Sequence, residues 1–216
     1  MEANPEPPFN FPRIGSPAPP FEAVTSMGTL KLEDFKGGWL ILFSHPADFT
    51  PVCTTEFMAF SAIADELKSL NVQLMGLSID SVHSHLAWIR NVKEKMGVDI
   101  PFPIIADLDM NVAKKYGMIH PGQSSTAAIR AVFFIDDKGI LRAMIYYPLT
   151  AGRYMPEIVR LIKSLQTTDK YGVATPANWQ PGDKVVVPAP KNKAEMEKRL
   201  AEGYDCKEWY LCFKKL

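Results

Sequence analysis

The feature that most constrains this chain is the alternation of wholly apolar runs with amphipathic segments in its first half. The run WLILFS at residues 39–44 shows no alternation of polar and apolar side chains, which indicates a strand buried on both faces. A second such run, VQLMGLSI, follows at 72–79. Between them, residues 54–70 repeat apolar side chains at spacings of three and four, as an amphipathic helix does. This order predicts two parallel strands joined by a helix, and therefore an α/β fold.

The rest of the first 166 residues continues this alternation and adds an antiparallel hairpin. The polar segment Asp136–Gly139 separates two apolar runs, which predicts a β-hairpin turn. The complete order is β-α-β-α-β-α-β-β-α, the order of a thioredoxin-like fold with a mixed central sheet. The further predicted elements are helices at 81–96, 109–116 and 154–166, and strands at 103–106, 131–135 and 140–146.

The composition of the chain changes near Thr167. From there to Lys191 it is rich in Pro, Gly and isolated Val, and a charged helix is predicted at 191–202. We therefore expect a thioredoxin-like domain over residues 1–166 and a C-terminal arm or small subdomain over 167–216. The arm carries large aromatic side chains that are best buried against another chain, so we expect at least a homodimer. These side chains are Trp179, Tyr204, Trp209, Tyr210 and Phe213.

Charge and hydropathy argue against two kinds of partner. Lys plus Arg number 24 and Asp plus Glu number 24, so there is no basic excess to attract nucleic acid or an anionic membrane. No apolar run approaches the roughly 18–20 residues that a membrane-spanning helix needs. Residues 1–20 are Pro-rich and lack a basic stretch followed by an apolar one. We therefore expect an extended leader without a signal peptide, and a cytoplasmic location.

Three cysteines are too few for a disulfide scaffold, so each is a candidate for redox chemistry or for simple burial. Cys53 is predicted at the start of a helix, where unpaired N–H groups and the helix dipole stabilise a thiolate. Thr50 lies three residues earlier and can place its hydroxyl on the same side, and Pro46 makes the preceding loop rigid. From position alone, a buried structural cysteine is an equally good interpretation.

The segment from His45 to Glu56, HPADFTPVCTTE, resembles the active-site segment of the peroxiredoxins, whose core pattern is Pro-x-x-x-Thr-x-x-Cys. The form that begins Ser-His-Pro and ends Cys-Thr-Thr-Glu is typical of the one-cysteine-like subfamily. Residues 14–19 (IGSPAP), Tyr146-Tyr147-Pro148 and Gly152-Arg153 are also similar to segments of that family. The resemblance covers nearly the whole chain.

The resemblance implies a role for each matching residue. Cys53 is the peroxidatic nucleophile, Thr50 hydrogen-bonds the thiolate and the incoming peroxide, and Pro46 shields the site. Arg130 stands just before the strand AVFFI, where the family keeps an arginine that holds the thiolate and the peroxide together. Its guanidinium is a fixed fork of donors suited to a developing oxyanion. Alone, Arg130 would be interpreted as a surface arginine.

Arg153 and His45 are assigned supporting roles in peroxide binding. Arg153 resembles a second, more peripheral arginine of the subfamily, and a surface position is an equally weighted alternative. His45 either polarises the site or packs beside Pro46. His83 and His85 lie two residues apart on a predicted helix, so they point to different faces, do not form a metal pair, and are expected to be exposed. We expect no metal and no organic cofactor, because the weak O–O bond lies in the substrate.

The implied activity is a thiol-dependent reduction of hydrogen peroxide and alkyl hydroperoxides to water and alcohols, through a sulfenic acid on Cys53. Archaeal-type members of the subfamily carry two tail cysteines like Cys206 and Cys212, and form dimers with crossing arms. By that resemblance Cys212 resolves the sulfenic acid as an intersubunit disulfide. Cys206 is then an auxiliary partner able to form a Cys206–Cys212 disulfide, and a thioredoxin-like or small-thiol reductant recycles the enzyme. The assembly is a homodimer or a ring of dimers.

Several alternatives stay open. An external thiol can resolve Cys53 directly, and both tail cysteines can be passengers. A thiol-disulfide oxidoreductase shares the predicted sheet but needs a second cysteine at Cys-x-x-Cys, and Val52–Glu56 has none. A holdase-like chaperone, an activity of ring-forming peroxiredoxins, would not need Cys53. Peroxide turnover with a supplied thiol distinguishes these classes.

Overall fold

A β-hairpin that the sequence pattern did not predict begins the fold. The computed structural model describes residues 11–216, without the side chain of Leu200, so the first half of the predicted extended leader lies outside the described residues. The hairpin consists of β1 (Glu22–Thr25) and β2 (Gly28–Lys31), and a 3-10 helix follows at Leu32–Phe35. Both strands are short and largely exposed, so neither shows an apolar run.

The predicted alternation follows, with most boundaries within a few residues of those expected. Helix α1 begins earlier than predicted, because Thr50 is its N-cap and Pro51 suits the first helical position. Helix α4 ends later than predicted, since its last turn is polar and stops only before Gly172, whose φ is 60°. The elements are β3 (Trp39–Ser44), α1 (Pro51–Ser69), β4 (Val72–Ser78), α2 (Val82–Met96), β5 (Ile104–Ala106), α3 (Asn111–Lys115), β6 (Arg130–Ile135), β7 (Leu141–Tyr147) and α4 (Met155–Tyr171).

The main sheet has seven strands in the order β2-β1-β5-β4-β3-β6-β7. Strands β3, β4 and β5 are parallel, whereas β6 runs antiparallel to both β3 and β7. The hairpin β1–β2 adds to the other side through an antiparallel contact of β1 with β5. The predicted thioredoxin-like fold with a mixed central sheet is confirmed. Strand β3 has all six residues buried because it is paired on both sides and covered on both faces, which explains its wholly apolar sequence.

An aromatic cluster packs α1 onto the sheet. Phe43 of β3 stacks on Phe60 of α1 with ring centroids 3.9 Å apart, and Phe57 approaches the same ring edge-on at 5.4 Å. All three side chains are fully buried. Because successive residues of a strand face opposite sides of the sheet, Leu40 and Leu42 join a separate core cluster with Phe133. This packing fixes the first turn of α1 near the carboxyl end of β3.

The chain forms two compact units, with the division between Met155 and Pro156. The second unit contains nearly all of α4 and a separate three-stranded antiparallel sheet in the order β8-β10-β9. The domain boundary predicted between residues 166 and 167 stays a prediction. Among the described helices, none has the length and apolarity that crossing a membrane requires. The elements of this unit after α4 are β8 (Val185–Val186), α5 (Lys193–Ala201), β9 (Asp205–Glu208) and β10 (Leu211–Lys214).

Candidate active site

Cys53 is a free, fully buried thiol in the first turn of α1. The loop from β3 ends at Thr50, the N-cap, whose φ of −107° and ψ of 149° are those of extended backbone. The Thr50 carbonyl then accepts the first helical hydrogen bond, from the Thr54 N–H at 3.0 Å. The sulfur therefore lies where a helix leaves its first N–H groups without intrahelical partners, as the sequence predicts.

The hydroxyl of Thr50 already donates a hydrogen bond within its own loop. Its Oγ1 donates to the carbonyl oxygen of Ala47 at 2.8 Å, which leaves the oxygen lone pairs available to accept a hydrogen bond. The residue before it, Phe49, adopts a left-handed φ of 55°, an uncommon conformation for a bulky side chain. Strained backbone of this kind occurs preferentially at functional sites. The predicted hydrogen bonds of Thr50 to the thiolate and to the peroxide stay predictions.

Arg130 places a donor directly on the sulfur. Its Nη1 lies 3.3 Å from Cys53 Sγ and 2.7 Å from Glu56 Oε2, and its Nε donates to the carbonyl oxygen of Leu149 at 2.9 Å. Arg130 is buried at the start of β6, so the alternative of a surface arginine is wrong. Glu56 and Leu149 hold the guanidinium in place, and its remaining contact gives the sulfur a charged hydrogen-bond donor.

Glu56, one helical turn after Cys53, joins Arg130 to Arg153. Arg153 binds its carboxylate with Nε at 2.9 Å from Oε1 and Nη2 at 2.6 Å from Oε2, and the Arg153 backbone N–H also donates to Oε1 at 2.9 Å. The remaining arginine nitrogen, Nη1, donates to the carbonyl oxygens of Ser44 and Ala131. Arg153 is buried, so its alternative as a surface arginine is also wrong. Its predicted role in peroxide binding stays a prediction.

The ionisation of Glu56 follows from these contacts. Burial alone would raise the pKa of the Glu56 carboxyl, but the charges and hydrogen bonds of Arg153, with the charge of Arg130, lower it below its ordinary value. Glu56 is therefore a carboxylate at neutral pH. Glu56 lies within the sequence motif around Cys53, but no role was predicted for it. The available signal was its position three residues after Cys53, which places both on one side of the helix.

His45, which precedes Pro46 in the sequence, belongs to a buried network. Its Nε2 lies 3.0 Å from Asp48 Oδ1, and its ring stacks on Trp88 with centroids 5.3 Å apart. The second oxygen of Asp48 is 2.8 Å from Nδ1 of His85. Burial lowers the pKa of His45, and the hydrogen bond and charge of Asp48 only partly offset this. The neutral ring is thus expected to donate from Nε2 to Asp48, and its role in substrate binding stays a prediction.

The expectation that His85 is exposed is wrong, whereas His83 is exposed as predicted. His85 is fully buried, and its Nε2 contacts the carbonyl oxygen of Ile105 at 3.1 Å. The reason is its second partner, Asp48, which lies 37 residues away in sequence. Helical spacing alone does not reveal a partner that the tertiary fold supplies.

The same network contains a cluster with the spacing of a metal site. Donor atoms of His45, Asp48 and Asp80 lie within 4.8 Å of one another. Each Asp48 oxygen already contacts a histidine nitrogen, and Asp80 Oδ2 accepts from the Asp48 N–H at 3.0 Å and from Ser78 Oγ at 2.7 Å. These hydrogen bonds account for the arrangement of the three side chains without an ion.

The two tail cysteines lie opposite each other on neighbouring strands of the second unit. Cys206 of β9 and Cys212 of β10 are register partners and are joined by a disulfide. The predicted Cys206–Cys212 disulfide is thus present, and its auxiliary role in recycling stays a prediction. Resolution of Cys53 by Cys212 across subunits stays a prediction.

Comparisons with known proteins show what the chain as a whole is similar to. Residues 14–144 match the family model described as AhpC/TSA family, and residues 164–203 match that of the C-terminal domain of 1-Cys peroxiredoxin. A peroxiredoxin of Aquifex aeolicus is 60% identical over 96% of this chain and 98% of its own. A solved structure of a yeast mitochondrial 1-Cys peroxiredoxin has a TM-score of 0.85 and 42% identity, over 94% of this chain and 99% of its own. A solved structure of peroxiredoxin 6 of Arenicola marina has a TM-score of 0.84 and 41% identity, over 94% and 97%.

We predict that Glu56→Gln destabilises the fold by about 3–5 kcal/mol at pH 7, since it leaves two buried guanidinium groups without their carboxylate. The pKa of Glu56 is lower in the folded than in the unfolded protein, so its carboxylate stabilises the fold fully at a pH above the unfolded-state pKa. This stabilisation is lost as the pH falls through the folded-state pKa. The free energy of unfolding, measured in urea between pH 7 and pH 3, should therefore fall more steeply in the wild type than in the variant.

The matched control is Glu94→Gln, which removes the same charge from the exposed ion pair with Arg90. It should change the free energy of unfolding by less than about 1 kcal/mol. Equal losses in the two variants would contradict a special role for the Glu56 network.

Proposed function

The chain belongs to the peroxiredoxin family and is a thiol-dependent peroxidase, and we propose that Cys53 is its peroxidatic nucleophile. The observation that carries this proposal is the 3.3 Å contact of Arg130 Nη1 with the buried sulfur at the start of α1. A helix terminus and a guanidinium together favour the thiolate, which is the reactive form. The proposed substrates are hydrogen peroxide and alkyl hydroperoxides, and the proposed cellular role is that of a cytoplasmic antioxidant enzyme.

The proposed reaction is a two-electron displacement at oxygen. The Cys53 thiolate attacks the terminal oxygen of the hydroperoxide, the S–O bond forms, and the O–O bond breaks. Cys53 becomes a sulfenic acid, and the leaving oxygen takes a proton and departs as water or an alcohol. Arg130 stabilises the charge that develops along this path. Thr50 accepts the peroxide O–H, in keeping with its own donation to Ala47, and Pro46 excludes water from the sulfur.

Arg153 and His45 support this arrangement in different ways. Four of the five N–H donors of Arg153 are occupied by Glu56, Ser44 and Ala131, so its contribution to peroxide binding is made mainly through Glu56 and Arg130. His45 and Asp48 bracket Pro46 in sequence, and their contact holds the loop that shields the sulfur. We propose both as positioning residues.

We further propose that Cys212 of one subunit resolves the sulfenic acid of its partner, within a homodimer or a ring of dimers. Cys206 would then exchange into the bond and release Cys53, giving the Cys206–Cys212 disulfide. A thioredoxin-type dithiol would reduce that disulfide. The similar yeast structure concerns thiol resolution via glutathione/thioredoxin systems, which supports a reductant of this class. The alternative is direct reduction of Cys53 by an external thiol.

We predict that Cys53→Ser abolishes peroxide consumption, because no other residue of the site supplies a nucleophile. Peroxide loss is measured with dithiothreitol as the reductant, and circular dichroism and sedimentation test whether the fold and assembly are retained. Cys206→Ser is a suitable comparison, since it also removes one thiol but leaves Cys53 in place. Peroxide turnover by folded Cys53→Ser protein would contradict the proposal.

We predict that Arg130→Ala slows the oxidation of Cys53 by about 10²–10³-fold, the typical effect of losing one donor to a developing charge. The second-order rate is measured by stopped flow with hydrogen peroxide. Arg90→Ala, which removes an exposed arginine paired with Glu94, serves as the control and should leave the rate unchanged. An unchanged rate in the folded Arg130 variant would remove this residue from the mechanism.

We predict that Cys212→Ser prevents the covalent dimer that one equivalent of peroxide produces, because the resolving thiol is absent. Cys53 should then progress to sulfinic acid under excess peroxide, as mass spectrometry can detect. Cys206→Ser should still form the covalent dimer on non-reducing gels. A covalent dimer in both variants would mean that the tail thiols are interchangeable. Oxidised wild-type protein with neither a covalent dimer nor a Cys206–Cys212 disulfide would favour the one-cysteine mechanism.

A further inference from the structure

The two sulfurs of the tail disulfide lie in different surroundings. Cys212 is fully buried on β10, the central strand of the small sheet, whereas Cys206 is only half-buried on β9. The neighbours of Cys206 along the strand, Asp205 and Lys207, are both exposed. A thiol arriving from solvent therefore reaches the Cys206 sulfur far more easily than the Cys212 sulfur.

Backbone pairing also distinguishes Cys206 from Cys212. Among the strands that the structure describes, β9 pairs only with β10 and forms one edge of the sheet. The Cys212 carbonyl accepts from the Val187 N–H at 2.9 Å, on the side of β8. The Cys212 carbonyl therefore points away from β9. In an antiparallel pair, two opposed residues point their backbone groups either both toward each other or both away from each other. The Cys206 carbonyl accordingly points away from β10, toward the open edge. The Cys206 N–H donates to the Tyr204 carbonyl oxygen at 3.0 Å, so at this residue the edge offers a partner protein the Cys206 carbonyl as an acceptor beside the sulfur.

The buried sulfur also has proton acceptors close by for its reduced form. Cys212 Sγ lies 3.4 Å from the carbonyl oxygen of Glu208 and 3.8 Å from that of Trp209. After reduction, the Cys212 thiol can donate its proton to these oxygens without any movement of the hairpin. On the other side, Asp205 is paired with Lys184 at 2.6 Å, so its negative charge is offset near the sulfur that an incoming thiolate must approach.

We propose that the reductant attacks this enzyme at Cys206, an inference that rests on the proposed recycling by a thioredoxin-type dithiol. The thiolate of the reductant forms a bond with Cys206 Sγ, the Cys206–Cys212 bond breaks, and Cys212 leaves as a thiolate that takes up a proton. The second thiol of the reductant then attacks its own sulfur in the mixed disulfide and releases Cys206. Two electrons and two protons pass from the dithiol to the tail, and the reductant becomes a disulfide.

The test uses full-length Cys53→Ser protein, in which the tail disulfide is formed with diamide. Protein whose subunits are not joined by a disulfide is then isolated. The probe is a thioredoxin-type protein whose second active-site cysteine is replaced by serine, so that the mixed disulfide accumulates. Trypsin cleaves after Lys207 and separates Cys206, in peptide 200–207, from Cys212, in peptide 208–214. The captured adduct should lie on peptide 200–207 with at least about a tenfold excess, since access to the attacked sulfur governs exchange.

Glutathione serves as a second probe, because burial of Cys212 should direct a small thiol to Cys206 as well. An adduct mainly on peptide 208–214 with either probe, or no adduct with the trapping protein, would overturn the proposal. This protein lacks Cys53, so the result does not depend on peroxide chemistry. Failure of the wild type to consume peroxide would instead contradict the proposed function and would leave the site of the adduct unaffected.

Discussion

One nitrogen of Arg130 contacts both the sulfur of Cys53 and the carboxylate of Glu56, and this double contact links the charged groups of the site. Two guanidinium groups and one carboxylate are buried together, which leaves an excess positive charge in a region of low dielectric. Buried charges are costly unless they are paired. A thiolate on Cys53 makes the sum of these four groups zero. The thiolate that we propose on Cys53 would therefore supply the missing negative charge.

The sheet brings these four residues together although they are far apart in sequence. Strand β3 pairs antiparallel with β6, so the end of one lies beside the start of the other. Helix α1 begins after the loop that leaves β3, which places Cys53 next to Arg130, 77 residues later. Arg153 follows β7 and donates to the carbonyl oxygens of Ser44, in β3, and Ala131, in β6. The site is therefore complete only when β6 is paired with β3 and with β7.

Much of this architecture follows from local sequence patterns. The apolar runs of β3 and β4 and the periodicity of α1 were sufficient to predict a parallel β-α-β start, because buried strands and amphipathic helices have distinct periods. The polar turn between β6 and β7 added the antiparallel hairpin that makes the sheet mixed. The hairpin β1–β2 was missed because its strands are short and mostly exposed, so burial leaves little trace in their sequence. The three strands of the arm were missed for a related reason. They have two to four residues each, and their pairing joins segments without a local signal.

The residues of the site also fall into those with a local sequence signal and those without one. The motif around Cys53 identified the nucleophile and Thr50 as candidates, since their spacing on a helix terminus is a local property. The roles of Glu56 and Asp48 were not predicted, because each depends on partners that only the fold supplies: Arg130 and Arg153 for one, His85 for the other. The left-handed conformation of Phe49, which is 57% exposed, is also invisible in the sequence. A selection for thermal stability alone would favour Gly or Asn there, because both adopt this conformation at little cost. An exposed phenylalanine in that conformation marks a position where folding stability and some other property of the active-site loop are in competition.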